Sequence, residues 1–119
     1  MTATALRLDV DGRLTELDLA SDRTLPVLQD AVGGRVDCVG LRAGLDMWIH
    51  DEGMFDHPWN AYATNIARQV LGHMTQKFFG PVVFTGFDPD DGATTGLDTS
   101  EVKYLQAMVA EMTAQAPTS

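Results

Sequence analysis

Alternation is the first pattern along the chain. Residues 5–19, ALRLDVDGRLTELDL, place apolar and polar side chains in turn on both sides of Asp11-Gly12. That dipeptide accepts the positive φ angles of a tight reverse turn, so a β-hairpin is expected. A two-residue loop there sets Val10 against Arg13, Arg7 opposite Glu16 and Leu6 opposite Leu17. Thr24 then caps a short helix over 25–32, in which Leu25, Leu28 and Val32 recur at helical spacing and Gly33-Gly34 ends it. The runs RVDCVGL (35–41) and LDMWIH (45–50), split by Arg42-Ala43-Gly44, read as a second hairpin, and Asp51-Glu52-Gly53 turns the chain away.

Asn60 is a good N-cap for AYATNIARQVL, whose Tyr62, Ile66 and Val70 line one stripe with Ala63 and Ala67 beside it, and Gly72 stops that central helix. Gly80-Pro81 opens VVFTGF, a continuous apolar run whose lack of alternation marks a strand buried on both faces. DPDDGATTGLD is loop by composition, and Asp98 with Glu101 has capping-box spacing for a last helix over 99–114. The result is an α+β fold. A largely antiparallel sheet of about five strands, two hairpins among them, goes with a short helix, a central helix and a C-terminal helix in one domain over 1–119, with a frayed tail at 115–119.

Composition narrows the class. Hydrophobic residues make up 45% of the 119 positions, enough for one core. No stretch is long and apolar enough for a membrane span, the start MTATALRLDVDG lacks a leader pattern, and the lone Cys38 lies in a strand-like run. Together these lead to an expectation of a cytoplasmic protein with a packed, slow-reacting thiol. With 17 acidic against 8 basic side chains the net charge is -9. Direct nucleic-acid binding is disfavoured, no membrane association is expected, and the charge suits a basic or DNA-binding protein partner as well as plain solubility.

The run from Leu28 to Gly86 adds a resemblance. Gly33-Gly34 closes a short helix before Val36, Asp51-Glu52-Gly53 follows a hydrophobic strand, Asn60 with Ala63 and Thr64 opens a helix, and Gly80-Pro81-Val82-Val83 enters a strand. In the order and spacing of these signatures the chain resembles domain of unknown function 3846, a family of small proteins of bacteria, their mobile elements and bacteriophages. The resemblance implies a stand-alone accessory protein encoded by a phage or mobile element, and it supplies no catalytic residues. His50 stands where the family usually has an aliphatic residue.

Constellations of reactive residues are few. His50, Asp51, Glu52, Asp56 and His57 place five ligand-capable side chains close together, but in a spacing that fits no established metal signature. Asp88, Asp90 and Asp91 precede Gly92, yet that glycine falls fifth and Thr99 twelfth, out of step with a calcium loop. No metal or cofactor is therefore expected. No nucleophile elbow and no Walker or dinucleotide loop is present, and no catalytic residue is assigned.

Two readings remain. In the first, the chain is a non-catalytic interaction module for a host or element-encoded protein. It uses the loop from Asp51 to Tyr62, with Trp48, Asp51, Glu52, Trp59, Asn60 and Tyr62 as candidates, and an acidic surface at Asp88, Asp90 and Asp91. In the second, it sequesters a metabolite or nucleotide in a pocket between the central helix and the sheet, lined by Trp48, Trp59 and Asn60. An enzyme ranks third.

Overall fold

The computed structural model describes residues 3–19, 24–51, 57–73 and 76–115. Its elements are β1 (Ala3–Leu8), β2 (Leu14–Leu19), α1 (Thr24–Val32), β3 (Val36–Arg42), β4 (Leu45–His50), α2 (Ala61–Leu71), β5 (Val82–Asp88), β6 (Ala93–Thr95) and α3 (Thr99–Gln115). Every strand pairing is antiparallel and the sheet runs β2-β1-β5-β4-β3, with β6 also on β5. The fold is α+β, a six-stranded antiparallel sheet with three helices. The sixth strand was not expected, because Ala93-Thr94-Thr95 is too short to show a period and forms only by pairing with residues 86–88.

The apolar run of β5 takes the centre of the sheet, and Val82, Val83, Phe84 and Thr85 are fully buried there. Each face has its own core. On one, Leu6, Leu8, Met47 and Phe84 meet Ile66 and Ala67 of α2 and Leu105, Met108 and Val109 of α3. On the other, Ala5, Leu19 and Val83 meet Leu28, Ala31 and Val32 of α1. Burying one such Leu, Val or Phe stabilises the fold by about 1.5–3 kcal/mol before entropy is counted.

The first hairpin forms, but in another register. Asp9 N–H donates to Arg13 O and Gly12 N–H to Asp9 O, with Gly12 at φ 89, so the loop holds three residues, Val10 to Gly12. The extra loop residue moves every pair by one: Leu6 faces Glu16, Ala5 faces Leu17 and Arg7 faces Thr15. Arg7 is thus no longer opposite Glu16 and bonds Asp9, at 3.1 Å.

The signals at both ends of α2 act as read, and the capping box of α3 forms in its Asp98 half. Asn60 caps α2 by accepting from Ala63 N–H, and Gly72 ends it with a bond from its N–H to Arg68 O. Asp98 accepts from Glu101 N–H and Ser100 Oγ, bonds that hold its carboxyl below the usual carboxylate range. The Glu101 carboxylate accepts from Arg42 Nη2 at 2.7 Å, tying the start of α3 to the end of β3. No helix among the described residues is long and apolar enough to cross a membrane.

Candidate functional site

The most organised polar cluster lies where the chain enters α2. Asn60 is fully buried, and its amide is shared out completely: Oδ1 takes Ala63 N–H, while Nδ2 donates to Leu8 O at 3.2 Å and Gly80 O at 2.9 Å. Its backbone N–H donates to Phe78 O. One turn on, the buried Thr64 hydroxyl donates to Asn60 O and accepts from Phe78 N–H and Trp59 Nε1. These bonds fasten the segment before β5 to the α2 N-terminus, and Trp59 pairs with Phe79 in a single antiparallel bridge.

Trp59 therefore has a fixed place although the residue is 45% exposed. Its N–H is held at 3.1 Å by Thr64, and the Lys77 ammonium stands 5.0 Å from the ring centroid. Beside it a cleft of about 370 Å³ is lined by Ile49, His50, Asp51, Gln76, Lys77, Phe78 and Phe79. The His50 and His57 rings lie 5.0 Å apart at one end of this region. Gly34 lies against the imidazole of His50, so that a Cβ on it would come to 2.5 Å from His50 Nε2 and displace the ring. Asp51 pairs with Arg35 at 2.7 Å, and its N–H to Arg35 O extends the β3–β4 hairpin.

The sequence candidates separate in space. Asp51, Trp59, Asn60 and Tyr62 lie near one end of the sheet, with the Tyr62 ring packed on Gly12. Trp48 does not join them. It lies on the α1 face, donating from Nε1 to Thr85 Oγ1 at 2.8 Å, whereas α2 covers the other face. The pocket expected between the central helix and the sheet, lined by Trp48, Trp59 and Asn60, is thus not formed, because Trp48 and Met47 alternate across the strand and Met47 takes the α2 side. Glu52 and Asp56 lie outside the described residues.

Asp88, Asp90 and Asp91 lie at the opposite end of the sheet. Asp88 Oδ1 accepts from Asp90 N–H and Asp91 Oδ1 from Ala93 N–H, so two of the three carboxylates hold the β5–β6 turn. Among the described residues no three His, Cys, Asp or Glu side chains converge as a metal ligand set.

Cys38 corrects the expectation of a packed thiol, for it is exposed. β3 is an edge strand, and α1 reaches Val36 but leaves Cys38 uncovered. Its thiol is nevertheless pushed up to about 12, by partial desolvation first and then by the charge and hydrogen bond of Asp46 on β4. Asp46 is only 9% exposed, and burial raises its own carboxyl above the ordinary value, with the thiol hydrogen bond working the other way. Sequence offered no signal for this pair, since it depends on the register of β3 against β4.

No curated protein and no solved structure matches the chain. The family model described as Domain of unknown function (DUF3846) matches residues 1–110, which takes in all six strands, α1, α2 and most of α3. The likeness first read over 28–86 thus extends over nearly the whole fold, and the chain belongs to the DUF3846 family.

Proposed function

We propose that the chain is a non-catalytic interaction module that binds a basic protein, with Trp59 as an anchor of the contact. The observation that carries this reading is the immobilised, exposed Trp59 ring. A large aromatic already fixed by Thr64 and Lys77 loses little freedom on binding, which is the property of residues that dominate interface energies. The charge of -9 supports a basic partner, and Arg7, Arg35 and Arg42 are each paired to a carboxylate of the chain itself, which leaves the acidic excess uncompensated. With the reading go a cytoplasmic setting and a phage or other mobile element as the source of the gene, which the neighbouring genes would test.

The cleft beside Trp59 favours a second reading, capture of a small ligand between Lys77, His50 and the two phenylalanines. One experiment separates the two. Immobilised wild type and Trp59→Ala are compared for retention of basic proteins from a bacterial lysate, with the denaturant midpoint measured on each. A basic protein retained by wild type and lost from the folded variant supports the module, and equal retention overturns the role of Trp59. Small-molecule binding by wild type with no retained protein favours the second reading.

A further inference from the structure

The two strands that end the main path of the sheet are finished differently. β3, at one edge, carries a bulge between Gly40 and Arg42. Asp51 N–H to Arg35 O makes that pair a hydrogen-bonded one, so alternation along the ladder turns the backbone groups of Val36, Cys38 and Gly40 outward. The outward N–H of Cys38 is already taken by Asp37 Oδ1 at 2.9 Å. A bulge and an acidic side chain on an outward N–H are ways in which a sheet closes an edge against pairing.

β2, at the other edge, has neither device. Its six residues pair with β1 without a shift of register and contain no proline. Asp9 N–H to Arg13 O sets the phase, so Thr15, Leu17 and Leu19 bond inward to β1 while the backbone groups of Leu14, Glu16 and Asp18 point outward. Among the described residues nothing pairs with that side. Glu16 and Asp18 are exposed, lie two apart on the same face, and form no ion pair or side-chain hydrogen bond among the described residues. Lys103 lines the groove beside Glu16 without forming an ion pair to it.

Building on the interaction reading above, we infer that the basic partner contributes an extended segment that adds to the sheet beside β2, with lysine or arginine at alternate positions facing Glu16 and Asp18. Open backbone donors and acceptors supply the docking rail, and cross-strand opposite charges select the sequence. A second copy of this chain is the wrong occupant: antiparallel pairing of two β2 strands centred on Leu17 sets Glu16 against Asp18, like charges directly opposed.

The test uses the full chain and a fluorescent, end-blocked peptide of alternating lysine and valine, with binding read by anisotropy at low and moderate salt. Its control replaces each valine by proline, which keeps the charge and abolishes strand pairing. The valine peptide binds and the proline peptide binds much more weakly. Glu16→Gln and Asp18→Asn each weaken the valine peptide by up to about fivefold, and Glu16→Pro, which removes an outward N–H but no bond to β1, abolishes its binding. Circular dichroism checks that Glu16→Pro folds; if it does not, the two amide variants carry the decision. Equal binding of the two peptides, no binding of either, or indifference to both amide variants overturns the β2 site. The interaction reading stands or falls separately, on whether Trp59→Ala loses the basic protein retained from lysate.

Discussion

Gly12 lies directly under the ring of Tyr62: a Cβ on Gly12 would come within 2.7 Å of Tyr62 Cζ. The first hairpin loop and the first turn of α2 are thereby fitted to each other. Gly12→Ala suffers twice, from its left-handed φ of 89 and from the ring, and is expected to cost about 2 kcal/mol or more. In a Tyr62→Ala background the same change should cost less, and a double-mutant cycle in denaturant reads the difference.

Asn60→Asp isolates the two bonds made by the amide nitrogen. Aspartate is as good an N-cap as asparagine, so a cap alone predicts almost no change. Here Leu8 O and Gly80 O lose their donor and face a carboxylate, at about 1–3 kcal/mol for each stranded group. A denaturant midpoint close to wild type would show that these bonds contribute nothing.

Trp59→Ala should cost about 2 kcal/mol, roughly half from the hydrogen bond to Thr64 and the rest from the part of the side chain that is out of water. A buried aromatic would cost about 3–5 kcal/mol. A loss in the larger range would make Trp59 a core residue and remove the basis for calling it an anchor.

Exposure and reactivity part company at Cys38. With its thiol raised to about 12, the thiolate is scarce at neutral pH, so iodoacetamide should react slowly although the side chain is exposed. Asp46→Asn removes the carboxylate and should speed the reaction. Rapid labelling of wild type at pH 7 would contradict the pairing of the two groups.

The same pair has a pH signature in stability. Asp46 holds its proton more tightly folded than unfolded, so its contribution is greatest at low pH and is lost as pH rises from the ordinary value of 3.8 through the raised folded one. Cys38 acts in the same direction between 9 and about 12, where the unfolded chain releases its proton first and stability falls. Asp46→Asn should remove this falling contribution and leave the rising one of Asp98, whose carboxyl is held low, and midpoints of variant and wild type measured across pH 3–7, a window about the reference carboxylate value, check this.

Features with local causes were legible in the sequence. Asp11-Gly12, the Asn60 cap, the Gly72 stop and the unalternating VVFTGF run each depend on neighbours in the chain, and each forms its element. What required the whole sheet was not legible. The three-residue loop moved Glu16 from Arg7 to Leu6, the place of β3 at an edge exposed Cys38, and the phase of β4 put Trp48 on the side of α1. At the candidate site Trp59 and the Asn60 cap of α2 could be named in advance, but the contacts of Thr64, Lys77 and Phe79 with Trp59 could not, because they depend on how separate turns of the chain meet.

The position of β5 bears on how the chain reaches this state. Leu6 pairs with Phe84, and Met47 pairs with the same residue from the other side, so a strand made late in synthesis joins two hairpins made early. Until residues 82–88 leave the ribosome, the inner edges of β1 and β4 have no mate, and neither core can close. Folding should thus be slow for a chain of this length, with a rate set by loop closure across the sequence. A nascent chain stalled before Val82 should be open to protease, and one extended past α3 should resist it.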